Sequence, residues 1–230
     1  MSRKIVEGNV GLCNIYLEEL PEFLSEVIEV NGSFYCDGNI LKDLKNAPQK
    51  IEGSFVCFGN HLTSLLGGPQ EVSEDYMCDD NRFPTLKGAP QIIHGDFYCG
   101  NSAFLKSLDG SPLKVEGIFD CSTSPSLISL HGSPQEVGEF DCSYCKLNTL
   151  EGAPDIVYRS FLCQGNQLTS LKGAPKEVRG DFVCDGNKLT SLEGIPETIH
   201  GLFSCQDNEG GAFTEEQIRA VSNIDGGVYV

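Results

Sequence analysis

The chain has 230 residues, 33 acidic and 16 basic, and its formal net charge of −17 disfavours direct contact with nucleic acid or anionic lipid. Its hydrophobic content, 40%, is enough for a folded core, and no run of about 18 apolar residues exists to cross a membrane. The opening MSRKIVEGNVGLC lacks the apolar centre of a secretory signal, so the expectation is a cytoplasmic protein.

One repeated frame supplies nearly all the predicted elements. It is clearest at 173–196, GAPKEVRGDFVCDGNKLTSLEGIP, and reads G-x-P-x-x-(V/I)-x-G-x-F-x-C-x-x-N-x-L-x-x-L. Nine cysteines (Cys36, Cys57, Cys78, Cys99, Cys121, Cys142, Cys163, Cys184 and Cys205) recur 21 residues apart, with one step of 22. An aromatic residue stands two positions before each. A spacing of two is strand alternation, so each ring and thiol share a face. Repetition of this kind predicts a solenoid over 1–208.

In chain order, the first turn (1–27) is an atypical cap. Gly8, Val10, Leu12, Leu17 and Leu20 keep the spacing while Cys13 stands one residue off it, and LEELPEFLSEV suggests a short helical turn. Turns two to four run regularly through Cys36, Cys57 and Cys78. Each has an Asn three residues after the Cys, suited to satisfying turn backbone, and a Pro twelve after it. After Cys99 and Cys121 the second Leu arrives one residue late, which predicts small bulges at 102–105 and 124–127; one residue is then missing before Cys142. The frame resumes through Cys184 and stops after Cys205. Segment 209–230 reads as a C-terminal cap. Thr214 and Gln217 have capping-box spacing for a helix over about 215–222 with Ile218 and Val221 on its apolar face, and GVYV adds an edge strand.

The run F-x-C-x-x-N-x-L-T-S-L resembles the leucine-rich repeat signature, and NQLTSL at 166–171 is similar to the short bacterial type of secreted effectors. The GAP…G-x-F-x-C style also resembles proteins of large tailed bacteriophages. The resemblance spans about 5–207 and implies a β-rich, right-handed coil. It would have one parallel sheet of about ten short strands and a short C-terminal capping helix. A 21-residue repeat leaves no room for an α-helix on the outer arc, where Pro and Gly favour extended backbone. Ten strands stacked ~4.8 Å apart give a rod on the order of 45 Å. Some effectors of this type carry a ubiquitin-ligase domain beyond the repeats. Only about twenty residues follow the array here, so that activity is not implied.

Few residues point to chemistry. Nine ladder cysteines, an odd number, fit reduced core thiols better than disulfides. Cys142 and Cys145 form a C-x-x-C, but Cys142 is a ladder residue and Cys145 stands in the Asn position, which argues against redox or metal work. His94 and His200 share a repeat position, whereas His61 and His131 fall in loops, so no catalytic triad or ligand set assembles along a rod. Neither an enzyme nor a bound cofactor is expected.

What remains is the outward face of the sheet, whose positions flanking the Phe–Cys pair contain no Lys or Arg. Asp75, Asp79, Asp80, Asp96, Asp120, Glu139 and Asp141 gather on the middle turns, beside Tyr35, Val56, Phe58, Met77 and Tyr98. In-register carboxylates repel one another and favour a basic partner or a cation. The leading expectation is therefore a non-catalytic scaffold whose acidic face binds a basic protein surface. The phage resemblance adds a role as inhibitor or sequestering factor of a host nucleic-acid-handling or defence protein, in the host cytoplasm. The alternatives are a structural component of a virion or surface assembly, and a calcium-dependent carbohydrate binder or enzyme.

Overall fold

A computed structural model describes residues 4–211 and 213–230. The chain winds into a parallel β-solenoid of about 11 turns, nearly devoid of helix. Each ring–thiol pair lies on or beside a short strand, in most turns of two residues such as Phe161–Leu162, that pairs in register with its neighbours: Phe140↔Phe161↔Phe182↔Phe203. The rings stack with centroids 5.0–5.9 Å apart from Phe34 to Phe203, and each ring is fully buried. Beside them run the ladder cysteines, all free and buried.

Expected as a single sheet, the strands form two ladders. The (V/I) position of the frame, which the sequence reading gave no strand, forms a second row of short parallel strands such as Glu71–Val72 and Glu177–Val178, paired along the coil except between Glu71–Val72 and Ile92–Ile93. The reason is the β-branched residue: Val30, Ile51, Val72, Ile93, Val115, Val137, Val157, Val178 and Ile199 are all buried, one above the next. Between the ladders most turns carry a glycine, as at Gly53, Gly95 and Gly180, where a Cβ would run into the preceding turn; Glu74 and Arg159 take the position in two others. Where one residue is missing before Cys142, the two strands of a turn run together as Lys114–Asp120 and Glu136–Asp141, and the register slips between Val115 and Ile118.

Buried asparagines hold the turns together. Asn166 Nδ2 donates to Cys142 O (2.9 Å) and Cys163 O (3.0 Å), while its Oδ1 accepts from Leu147 N (3.0 Å). Asn39, Asn60, Asn81, Asn187 and Asn208 repeat the arrangement. Where the sequence slips, buried Ser102 and Ser124 take this position. The late Leu105 and Leu127 still reach the core, leaving Phe104 and Ile128 outside.

Both ends depart from the frame in detail. The first turn holds Lys4–Glu7 and Val10–Gly11, and its helical piece is a 3-10 turn at Glu22–Glu26. At the other end the helix is shorter than expected, Glu215–Arg219, with both bonds of the Thr214–Gln217 capping box formed. Ile218 is buried, but Val221 lies beyond the helix and is 56% exposed, so the expected two-residue apolar face is a single residue. Segment 209–230 is more than a lid. Asn223–Ile224 pairs with Thr198–Ile199, and Val228–Tyr229 pairs with Phe203–Ser204, so the tail completes one more turn of both ladders.

Candidate acidic sheet face

The position just before each ladder cysteine forms one row across the strands. Tyr35, Val56, Met77, Tyr98, Asp120, Asp141, Leu162 and Val183 are successive register partners. Apart from Val56, which is buried, they are half-buried side chains on the face opposite the ring stack. The structure thus places Tyr35, Met77, Tyr98, Asp120 and Asp141 of the predicted set in a continuous line. Phe58 and Asp79 belong to the next row, one residue after the cysteine, and Phe58 is 38% exposed.

A third row, three residues before the cysteine, holds Asp75, Asp96 and Glu139. Here the side chains have structural work that the sequence did not announce. Asp75 Oδ1 accepts from Asp96 N (2.9 Å), and Asp96 Oδ1 accepts from Ile118 N (2.7 Å). Ser33 and Ser54 do the same for Ser54 N and Asp75 N, and Asp181 for Leu202 N. Each side chain thus caps a backbone donor exposed where the next turn bends between ladders. Gly117 leaves room for this reach: a side chain there would run into Asp96 Oδ1.

Asp120 and Asp141 also hold backbone, each Oδ1 accepting from the N–H two residues on, Ser122 (2.8 Å) and Ser143 (2.9 Å). Sequence reasoning treats these carboxylates as pointing freely into solvent. Asp80 is a turn residue: it adopts φ 51° in a row of left-handed turn positions shared by Gly38, Gly59, Gly165 and Gly186 and by Asn101, Thr123, Tyr144 and Asp207. Asp79 and Glu139 remain, with no ion pair and no backbone donor from another residue among the described residues.

The electrostatics of the two ladders are opposite. On the Val ladder, acids meet bases within and across turns: Lys50 Nζ lies 2.8 Å from Glu29 and 2.5 Å from Glu52, and Glu116 lies 3.2 Å from both His94 and Lys114. The hydrogen bond from Lys50 holds Glu52 below the ordinary carboxylate range, and the one from His94, with Lys114, does so for Glu116. On the Phe ladder face the shifts run upward. Burial raises Asp79, Glu139 and Asp141, with Asp120 adding repulsion at Asp79 and Asp141, while Arg159 partly offsets the shift at Glu139. Burial, followed by the bond from its hydroxyl to Asp96 Oδ2 (3.0 Å), pushes Tyr98 up to about 12. Among the described residues no Lys or Arg forms an ion pair with these acids.

Asp37 and Asp185 were missed although they occupy the row of Asp79, and a repeat alignment would have shown them. Asp185 Oδ1 is engaged by Ser204 Oγ (2.6 Å) and Gln206 N (2.7 Å). The C-x-x-C pair has the environment of inert thiols. Cys145 Sγ stands in the Asn position, near Cys121 O and Ser143 O, and burial pushes it up to about 12 and raises Cys142 as well. Reactive or metal-bound thiols require the opposite shift. Among the described residues no three His, Cys, Asp or Glu side chains gather as a metal site, and no helix is long and apolar enough to cross a membrane. His94 and His200 sit on the Val ladder, paired with Glu116 and Asp225. No protein-family model matches the chain, and no curated protein matches it.

Proposed function

We propose that the chain is a non-catalytic binding scaffold whose Phe-ladder face holds a basic surface of a partner protein. The observation behind this reading is the contrast between the ladders. Several acids of the Val ladder, such as Glu29, Glu52 and Glu116, are paired with bases, whereas Asp79, Glu139 and Asp141 stand partly desolvated, each repelled by other carboxylates, and without an ion-pair partner among the described residues. Lysine or arginine from a partner would relieve that repulsion and steer association. Tyr35, Met77 and Tyr98 continue the same row and offer an apolar and aromatic flank, the composition of interface anchors. The F-x-C-x-x-N-x-L frame and its asparagine ladder support kinship with short leucine-rich repeats, and the phage-like repeat style supports an inhibitor or sequestering factor acting on a host protein that handles nucleic acid.

Capture from host lysate at low and high salt tests this reading. A specific basic protein retained at low salt and released at high salt supports it, because exposed charge pairs are screened as the Debye length falls from ~10 Å at 0.1 M to ~3 Å at 1 M. Retention only of neutral or acidic proteins, indifferent to salt, contradicts it.

A further inference from the structure

The C-terminal end of the coil is sealed on one ladder and open on the other. On the Val ladder, Ile199 O and Gly201 O accept the N–H groups of Asp225 and Gly226 from the final turn, each at 3.0 Å. The equivalent carbonyls one turn later are Ile224 O and Gly226 O. Both are taken by one side chain: Arg219 Nη1 donates to Ile224 O (2.7 Å) and Nη2 to Gly226 O (2.9 Å), while Nε is held by Glu215 Oε1 (2.8 Å). The guanidinium fork occupies the two acceptors that a further strand would use.

On the Phe ladder the same end is bare. Phe203 N and Cys205 N donate to Gly227 O and Tyr229 O, each at 2.9 Å. Their equivalents in the last turn, Val228 N and Val230 N, have no acceptor among the described residues, and Tyr229 and Val230 are half exposed. The opposite end of the molecule is the complement. Val10 N and Leu12 N donate forward to Ser33 O and Tyr35 O, so Asn9 O and Gly11 O, one turn earlier, face outward with no donor among the described residues. Val6, Val10 and Leu12 lie there only partly buried at the end of the core. The donors of one end thus match the acceptors of the other in direction and two-residue spacing.

We propose that the C-terminal end is a docking surface for the N-terminal turn of a second copy of this chain, kept shut in the free molecule by Arg219. Asn9 O and Gly11 O of the incoming copy accept from Val228 N and Val230 N, and its Glu7 N needs the Ile224 carbonyl that Arg219 covers. In this register the Glu7 carboxylate falls beside Asp225. Asp225 is already paired with His200 (2.8 Å), so the remaining repulsion is of the kind that salt weakens. Protecting a strand edge with a charged side chain is a common defence against such pairing, and a head-to-tail contact of this kind propagates rather than closing.

The test is the solution mass of the full chain, measured by sedimentation over a range of concentrations. The wild type is expected to remain at single-chain mass. Arg219→Ala is expected to form oligomers that grow with concentration and with salt, and adding Glu7→Pro, which removes an N–H of the incoming edge, is expected to return it to single chains. Should Arg219→Ala fail to fold, Arg219→Lys replaces it: one ammonium cannot cover both carbonyls, so the same growth is expected to a smaller extent. A folded, monomeric Arg219 variant overturns the proposal. So do oligomers that persist with Glu7→Pro, and so does a wild type that already associates end to end.

Discussion

Tyr76 is the one hydroxylated ring in the aromatic stack, lying 5.0 Å from Phe55 and 5.4 Å from Phe97 by ring centroid. It is fully buried, and its hydroxyl has no hydrogen-bond partner among the described residues. A buried hydroxyl left unpaired costs about 1–3 kcal/mol, so Tyr76→Phe, which keeps the ring, should stabilise the fold by about 1 kcal/mol. For a chain of this length that raises the melting temperature by roughly 2–4 °C. The neighbouring turns explain how the hydroxyl is housed. Where they carry Ala47 and Ala89, this turn has Gly68, and a methyl group there would lie 3.1 Å from the Tyr76 hydroxyl and 2.8 Å from Leu44 Cδ1. Gly68→Ala alone should therefore destabilise, and the double variant should recover part of the loss, with a coupling of about 0.5 kcal/mol or more. Denaturant melts of the wild type, both single variants and the double variant measure this directly. A loss of 1 kcal/mol or more in Tyr76→Phe would show that the hydroxyl is bonded, and strictly additive changes would show that Gly68 does not serve it.

Two further predictions follow from the thiols and the carboxylates. Ten of the eleven cysteines are buried and Cys13 is half-buried, and burial raises the thiol pKa values, so alkylation of native protein should label at most Cys13, and slowly, while denatured protein should yield eleven free thiols. Labelling of Cys142 or Cys145 in the folded state would contradict the packing. Because Asp79, Glu139 and Asp141 have raised pKa values when folded, the folded state holds extra protons between the ordinary carboxylate range and those raised values, and stability falls as pH climbs through that window. Asp79→Asn, Glu139→Gln and Asp141→Asn combined should therefore be more stable than wild type at neutral pH, with the advantage shrinking as pH falls. An advantage that grows on acidification would reverse the sign and refute the assignment.

Much of the coil was legible because its signals are periodic. Phe and Cys two apart fixed the inward face of one strand, and the Asn three residues on identified the turn that closes it. The second ladder was obscured by its own flanks, since Pro and Gly around each Val or Ile read as extended arc although the β-branched residue forms a strand. Of the last turn the sequence showed the edge strand at GVYV but not Asn223–Ile224, because Glu215–Arg219 is inserted before it and Val228 takes the place of the ring, yet Ile224-x-Gly226-x-Val228 still follows the V-x-G-x-F frame. At the acidic face, sequence gave the row positions of the carboxylates but not their bonds. Periodicity places a side chain outward without showing that its oxygen turns back to a backbone N–H, as Asp75 and Asp96 do. For this reason charge reversal at Asp96, Asp120 and Asp141 would confuse binding with folding, whereas Asp→Asn keeps an acceptor oxygen in place.

The most direct measurement is therefore calorimetric titration of an arginine-rich peptide into wild type and into the variant carrying Asp79→Asn, Asp120→Asn, Glu139→Gln and Asp141→Asn. A neutral peptide of equal length and a second variant, Lys172→Gln with Lys176→Gln on the loops, serve as controls. The acidic-face account predicts salt-sensitive binding to wild type, a loss of about tenfold or more (about 1.4 kcal/mol) in the neutralised face variant, and no loss in the loop variant. Equal affinity of the folded face variant and the wild type for the cationic peptide would contradict it.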